Sequence, residues 1–164
     1  MHQIDEGLSV SMSGPEAEGY VRAALAQIGE WGIVMPDTPP LVLDFGLGDF
    51  QNVGEIEFWI ANEEAAGYCG KFLFMNTAQT CPRHMHRDKL ETFFIVRGAI
   101  EMTYDKRSFT MEAGATLRAE RGKEHRFTAR EPSLILEVSQ PSVIADNYFE
   151  DTRIPIGGNY QPSV

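Results

Sequence analysis

Short strand-like runs, separated by turn residues, fill the chain from residue 55 onward and constrain its fold more than any other feature. β-branched and aromatic residues dominate several of them. Asp105 and Lys106 join two runs as a tight hairpin. The runs cover residues 55–60, 70–76, 91–97, 99–104, 107–111, 115–119, 124–129 and 133–139. Because no strand–helix–strand alternation appears, we expect an antiparallel sandwich or barrel rather than a parallel α/β sheet.

One amphipathic helix precedes these runs. Val21, Leu25 and Ile28 recur at helical spacing, and the stretch at 13–16 resembles a capping box with an early proline. We therefore predict a helix over about 15–29, a short strand at 41–43 that opens a barrel over about 41–139, and a surface tail at 140–164. A length of 164 residues fits one domain, residues 1–164.

The net charge of the chain limits the kinds of partner that it can bind. A net charge of −10, from 14 basic and 24 acidic residues, makes nucleic acid or an anionic membrane an unfavourable partner. No run approaches the roughly 20 apolar residues that a membrane span needs. The first residues lack the pattern of a signal peptide, so we expect a cytoplasmic protein with Cys69 and Cys81 as reduced, buried thiols.

Three of the four histidines fall into one pattern with a glutamate. His84 and His86 form a His-x-His pair, which on a β-strand points both imidazoles to one face. Glu91 follows closely, and His125 lies on a later predicted strand that would return to the pair. Three imidazoles and one carboxylate suit a six-coordinate divalent ion with two open positions, which would let a substrate chelate through adjacent oxygens.

The spacing of this pattern resembles a known family. H-x-H-x₄-E-x₆-G at 84–98 and G-x₁₀-H at 114–125 are similar to the two conserved motifs of the cupin superfamily, with Glu120 where the second motif usually has proline. The resemblance implies an all-β fold, a double-stranded antiparallel β-barrel of the cupin or jelly-roll type. It also implies a metal in the barrel mouth, held by His84, His86, Glu91 and His125.

Further segments resemble D-lyxose ketol-isomerases. They are DFGLGDF at 44–50, YCGKFLF at 68–74, HMHRDKLE at 84–91 and DNYFEDTRIPI at 146–156. Lys89 is the most specific feature, because it is additional to the general cupin pattern. The resemblance implies an isomerase that interconverts D-lyxose and D-xylulose, and also D-mannose and D-fructose. Mn²⁺ is the expected metal, with Co²⁺, Fe²⁺, Ni²⁺ or Zn²⁺ as alternatives, and a homodimer is the expected assembly.

The chemistry of an aldose–ketose isomerase assigns roles to further residues. The reaction moves a proton between C1 and C2 through an enediol, so it needs a carboxylate base besides the one that binds the metal. Glu137, inside the apolar run SLILEVS, is the candidate if its face lines the barrel; otherwise it lies on a solvated face. Lys89 would stabilise the developing oxyanion, or it is a solvated loop lysine.

Two residues near the end of the chain are candidates for sugar binding. Asp146 and Arg153 would close over the sugar and bind its hydroxyl groups, or they form a salt bridge that holds the tail. Phe93, Phe127 and Trp59 would form an apolar wall of the site, although core packing is the stronger interpretation.

Two other functions fit the same ligand set. An Fe²⁺ cupin dioxygenase would need the same four ligands, but it has less use for Lys89 and Glu137. A non-catalytic sugar-binding cupin would keep the barrel without turnover, although an intact ligand set argues against a degenerate barrel. The sequence therefore favours the isomerase and leaves both alternatives open.

Overall fold

The computed structural model describes residues 8–161, so His2 lies outside the described residues. One α-helix, α1 (Pro15–Glu30), accompanies short 3₁₀ turns at Leu8–Val10 and Ile144–Asp146. The strands are β1 (Ser11–Met12), β2 (Leu41–Leu43), β3 (Glu55–Glu63), β4 (Tyr68–Met75), β5 (Thr80–Met85), β6 (Glu91–Arg97), β7 (Ala99–Tyr104), β8 (Arg107–Glu112), β9 (Thr116–Ala119), β10 (His125–Ala129), β11 (Ser133–Ser139) and β12 (Tyr148–Phe149).

Two antiparallel sheets face each other. The larger has seven strands in the order β1-β2-β3-β4-β11-β6-β9, and the smaller has five in the order β12-β5-β10-β7-β8. Their facing sides enclose a core rich in aromatic and aliphatic side chains, including Leu73, Phe93 and Phe127. The predicted all-β barrel with an N-terminal helix is therefore confirmed.

Helix α1 belongs to a second apolar cluster, which lies on the other face of the larger sheet. Ala24 and Ile28 of the helix share this cluster with Phe58 and Phe74 of β3 and β4.

The predicted capping box is wrong, because Gly14 occupies the cap position and no side chain bonds to the first turn. Proline in that turn needs no N–H partner, so the helix starts without a side-chain cap.

The hairpin between β7 and β8 is confirmed. Tyr104 pairs with Arg107, and the two residues between them, Asp105 and Lys106, have φ angles of 45° and 69°. Two-residue hairpins favour this left-handed geometry, because its twist matches that of the flanking strands.

Strand β5, which carries His84, is missing from the sequence-predicted runs. This strand was not predicted because it contains Pro82, and proline is unusual within a sheet. The neighbouring strand β12 pairs only with Met85 and His84 of β5, so the missing N–H of Pro82 faces no partner on that side. Through β12 and the buried Phe149, the final segment joins the smaller sheet, whereas we expected a surface tail.

Among the described residues, no helix is long and apolar enough to cross a bilayer.

Candidate metal centre

The four predicted ligands come together inside the barrel, and all four are buried. His84 lies on β5 opposite His125, the first residue of β10, and His86 follows directly after β5. Glu91 begins β6 in the facing sheet. One donor atom from each residue lies within 4.8 Å of the others. The strand register therefore brings together residues that are up to 41 positions apart in the chain.

Backbone carbonyl groups orient each imidazole ring. The Nδ1 atom of His84 lies 2.8 Å from the carbonyl oxygen of Pro82, and that of His86 lies 2.9 Å from the carbonyl oxygen of Asp146. The Nδ1 atom of His125 lies 3.2 Å from the carbonyl oxygen of Lys123. A carbonyl can only accept, so Nδ1 carries a proton in each ring, and Nε2 is the ring atom that is left to bind a metal.

The three Nε2 atoms face one another and the Glu91 carboxylate. The Nε2 atom of His125 lies 3.1 Å from that of His84 and 2.9 Å from Oε1 of Glu91. The Nε2 atom of His86 and Oε1 of Glu91, 3.4 Å apart, have no hydrogen-bond partner. Buried acceptors without a donor between them repel each other and are costly. A divalent cation fits this arrangement, since it would bind all four atoms.

Burial and neighbouring charges shift the pKa values of three of the four residues towards their metal-binding forms. Burial and the neighbouring histidines hold the pKa of His84 well below its ordinary value. Burial and the Lys89 charge lower the pKa of His86 to about 4. Burial alone would raise the pKa of Glu91, but Lys89 and the histidines hold it well below its ordinary value. Neutral imidazoles and an ionised carboxylate are the states that bind metal.

Lys89 connects this centre to Glu137. Its Nζ lies 2.7 Å from Oε2 of Glu91 and 3.0 Å from Oε1 of Glu137. Both Lys89 and Glu137 are buried. Burial disfavours the Lys89 charge, but the two glutamates raise its pKa above the ordinary value. The inward orientation assumed for Glu137 in the sequence is therefore the one observed, and Lys89 is not a solvated loop lysine.

A second buried ion pair was not anticipated from the sequence. Lys71 of β4 lies 2.5 Å from Glu57 and 3.5 Å from Glu137, and it stands over the Trp59 ring. Trp59 Nε1 donates a hydrogen bond of 3.0 Å to the other oxygen of Glu57. The signal was present in β3, because Glu55, Glu57 and Trp59 alternate with Ile56 and Phe58 and so share one face.

The barrel encloses a cavity of about 560 Å³, a volume within the usual range for small-molecule sites. The cavity is lined by His84, His86, Lys89 and Glu137. The ion pair of Lys71 with Glu57 also lines it, as do the aromatic residues that the sequence suggested as an apolar wall, Trp59, Phe93 and Phe127. Phe93 and Phe127 are also buried in the core, so these two residues both pack in the core and form part of the cavity wall.

Asp146 and Arg153 do not line this cavity. The buried carboxylate of Asp146 accepts hydrogen bonds from the backbone N–H groups of Arg87, Asp88 and Lys89, at 2.9 to 3.2 Å. Arg153 is exposed and forms a local ion pair of 2.6 Å with Asp151. Asp146 thus orders the loop that carries Lys89, and the sugar contacts expected of Asp146 and Arg153 stay predictions.

Comparison with known proteins agrees with this architecture. The family model described as "Cupin domain" matches residues 71–139. L-ribose isomerase from Cellulomonas parahominis, solved with L-ribose, is 16% identical with a TM-score of 0.70, over 89% of this chain and 96% of that one. L-ribose isomerase from Acinetobacter sp. DL28, in complex with L-ribose, is 18% identical with a TM-score of 0.66, over 81% of this chain and 83% of that one.

A third structure, KdgF from Halomonas sp., is 18% identical with a TM-score of 0.51, over 54% of this chain and 80% of that one. No curated protein matches the sequence. At these identities the structural likeness concerns the fold, and it shows that the chain has the cupin fold with an N-terminal helix.

Replacement of Glu91 by Gln should abolish tight metal binding. The amide cannot supply the negative charge, and its N–H₂ group would face the imidazoles. We expect wild-type protein to retain a divalent ion after dialysis and to lose thermal stability on chelation, as ligand linkage requires. Metal content by mass spectrometry and melting temperature are the measurements. Glu112→Gln, at an exposed glutamate on β8, is the control; equal metal content in the Glu91→Gln variant would refute the site.

Replacement of Asp146 by Ala should weaken metal binding about 10- to 100-fold, the usual effect of losing a group that orients metal ligands. The Arg87–Lys89 backbone loses its acceptor, and the neighbouring His86 and Lys89 lose their fixed positions. Asp146→Asn keeps one acceptor oxygen and should have a smaller effect. Competition with a fluorescent chelator measures the affinity. Unchanged metal affinity with a raised KM for sugar would instead support the direct sugar contact expected from the sequence.

Proposed function

We propose that this chain is a metal-dependent aldose–ketose isomerase that interconverts D-lyxose and D-xylulose, and also D-mannose and D-fructose. The buried Lys89–Glu137 pair is the observation that carries this proposal, because it lies directly beside the four convergent ligand atoms. A proton-transfer reaction next to a metal uses such a carboxylate and ammonium. The fold shared with L-ribose isomerases adds support for this reaction class.

His84, His86, Glu91 and His125 would hold the ion, and we propose Mn²⁺, with Co²⁺, Fe²⁺, Ni²⁺ and Zn²⁺ also compatible with the donor set. When bound, a divalent ion supplies Lewis acidity to two adjacent oxygens of a sugar. The three Nδ1 bonds to carbonyl groups keep the rings in place, so the open positions would face the cavity that Lys89 and Glu137 line.

Glu137 would remove the proton from one carbon and return it to the next. Burial would raise its pKa, but Lys71 and Lys89 lower it, so Glu137 is ionised at neutral pH and able to accept a proton. Lys89 would donate a hydrogen bond to the oxygen on which negative charge develops. The proton that leaves C2 of the aldose arrives at C1 of the ketose, the hydroxyl proton on O2 passes to O1, and no outside oxidant is needed. In D-mannose, C1 and C2 carry the same aldehyde and hydroxyl groups as in D-lyxose.

The choice of sugar would depend on the part of the cavity away from the metal. L-ribose, which the two neighbouring isomerases bind, and D-lyxose have the same configuration at C2 and C3 and differ at C4. The reacting carbons would therefore meet the same ligands in either sugar. Trp59, Phe93 and Phe127 line the cavity and would contact the remaining carbons.

The proposed enzyme also has an oligomeric state and a cellular compartment that its surface and charge help to assign. Ile60, Tyr68 and Val138 of the larger sheet are large apolar residues that are about half exposed. Exposed apolar groups on neighbouring strands are typical of protein interfaces, which supports a homodimer. We propose a cytoplasmic enzyme that acts on a free monosaccharide, since the net charge of −10 disfavours polyanionic partners.

A panel of aldoses, tested with chelated protein before and after Mn²⁺ addition, examines this function. We expect Mn²⁺ to restore conversion of D-lyxose to D-xylulose. Glu137→Gln should retain the metal and lose about 10²- to 10⁴-fold in kcat, the usual contribution of a general base. Ketose formation and metal content are the readouts, and Glu131→Gln, at an exposed glutamate just before β11, is the control.

Other outcomes of the panel would identify the alternatives. Oxygen uptake with Fe²⁺ and no ketose would favour a dioxygenase. Sugar binding to the metal-loaded protein without turnover of any pentose or hexose would favour a non-catalytic sugar-binding cupin. Full activity of Glu137→Gln would mean that Glu137 has a structural role.

A further inference from the structure

The ion pair of Lys71 with Glu57 has no substrate contact in the proposed proton transfer, although both side chains are buried and line the cavity. The Nζ atom of Lys71 lies 2.5 Å from Oε1 of Glu57 and 4.9 Å from the centre of the Trp59 ring. Taking two charges out of water is costly, so folding stability alone explains such a pair poorly.

Lys71 lies directly beside the proposed base. The two ammonium groups approach different oxygens of Glu137, because Lys89 lies 3.0 Å from Oε1 and Lys71 lies 3.5 Å from Oε2. Lys89 also contacts the metal ligand Glu91 at 2.7 Å. The strand register produces this arrangement, since Lys71 of β4 pairs with Glu137 of β11. The contacts therefore form a row of polar groups in the order Glu91, Lys89, Glu137, Lys71 and Glu57.

The Lys71–Glu57 pair has hydrogen-bonding capacity left for a ligand. The ammonium carries three N–H groups, and in the described part of the chain only Glu57 and Glu137 lie within ion-pair distance of it. One oxygen of Glu57 accepts from Lys71 and the other from Trp59, and each oxygen has two lone pairs. A single hydroxyl group can accept a hydrogen bond from the ammonium and donate one to the carboxylate.

The pair is also held in one geometry and in its charged form. Trp59 Nε1 donates a hydrogen bond of 3.0 Å to Oε2 of Glu57, and the Trp59 ring lies against the Lys71 ammonium. Burial disfavours the charge of Lys71, but Glu137 and Glu57 hold its pKa well above the ordinary value. Groups that are oriented before a ligand arrives lose little freedom when it binds, so they are suited to recognition.

The position of the pair matches the length of a sugar chain held at the metal centre. When C1 and C2 lie at Glu137, C4 lies two carbon–carbon bonds of about 1.5 Å each beyond C2. The Nζ atom of Lys71 is 3.5 Å from the Glu137 carboxylate. The hydroxyl group on C4 can therefore reach the pair while the reacting carbons stay at the base. C4 is also the carbon at which D-lyxose and L-ribose differ.

We propose that Lys71 and Glu57 are specificity-determining residues that bind the hydroxyl group on C4 of the open-chain sugar. This role rests on the proposed function, because it places the reacting carbons at Glu137. Lys71 would donate a hydrogen bond to the hydroxyl oxygen, and Glu57 would accept one from the hydroxyl group. A sugar without this hydroxyl leaves buried hydrogen-bonding groups unfilled, and such sites discriminate strongly against it.

Sugar binding to a metal-loaded protein that cannot turn the sugar over tests this role. We expect Mn²⁺-loaded Glu137→Gln to bind D-lyxose without converting it. In that background, Lys71→Met together with Glu57→Leu should lower the affinity for D-lyxose at least about tenfold, the effect of losing a hydrogen bond to a charged group. The affinity for the 4-deoxy analogue of D-lyxose should change less than about twofold. Calorimetric titration measures both affinities, and metal content is measured alongside.

Both members of the ion pair are replaced together so that neither leaves the other as a buried, unpaired charge. Replacement of a whole buried pair by apolar residues is often neutral or stabilising, whereas removal of one partner is strongly destabilising. Each sugar is compared with itself in the two proteins, so the different open-chain fractions of the two sugars cancel. Lys106→Met with Glu63→Leu makes the same two changes at exposed positions and should leave both affinities unchanged.

The outcomes separate this role from the proposed function. Equal losses of affinity for D-lyxose and its 4-deoxy analogue, no loss for either, or no D-lyxose binding at all would overturn the role, even if wild type isomerises D-lyxose. A loss confined to D-lyxose, in a protein whose wild type isomerises no aldose, would uphold the role and refute the isomerase. If the doubly replaced protein does not fold, a crystal structure of Mn²⁺-loaded Glu137→Gln with D-lyxose decides. A C4 hydroxyl beyond hydrogen-bonding distance of both Lys71 and Glu57 would overturn the role.

Discussion

Three imidazole Nε2 atoms and the carboxylate of Glu91 point at one another in the interior of the barrel, and the site depends on a group that binds them together. Carbonyl groups accept the Nδ1 protons, and Nε2 of His86 and Oε1 of Glu91 have no hydrogen-bond partner. The described interior is also short of positive charge, because the carboxylates of Glu57, Glu91 and Glu137 face the ammonium groups of Lys71 and Lys89. A divalent cation resolves both problems.

The buried ion pairs are better explained by function than by stability. Removing charged groups from water costs several kcal/mol each, and apolar residues of similar size often stabilise a barrel more. Lys89 touches both Glu91 and Glu137, and Lys71 touches both Glu137 and Glu57, so each ammonium fixes two carboxylates. Glu137 is therefore held in one place and in its ionised form, beside the cavity in which a substrate would lie. These connected ion pairs therefore lower the stability of the folded protein but hold the site in a preorganised geometry.

The sequence was sufficient for the parts of this arrangement that depend on local pattern. The His-x-His spacing and the alternation around Glu137 follow from the two-residue period of strands. The Lys71–Glu57 pair could not be predicted, because it depends on the register between β3, β4 and β11. The hydrogen bonds that the Lys89 loop donates to the Asp146 carboxylate span nearly 60 residues of chain, and no local sequence pattern predicts such a contact. Glu55 and Glu57 were visible as polar residues on the face of Trp59, but their burial was not.

In the proposed reaction, a carboxylate beside the metal ligands moves a proton between adjacent carbons of a sugar. Conversion of D-lyxose by the Mn²⁺-loaded protein in D₂O, followed by NMR, tests this proton transfer. A carboxylate that exchanges its proton with solvent predicts deuterium at C1 of the D-xylulose formed. Complete retention of the original hydrogen, at every extent of conversion, would indicate a hydride shift and contradict the role assigned to Glu137.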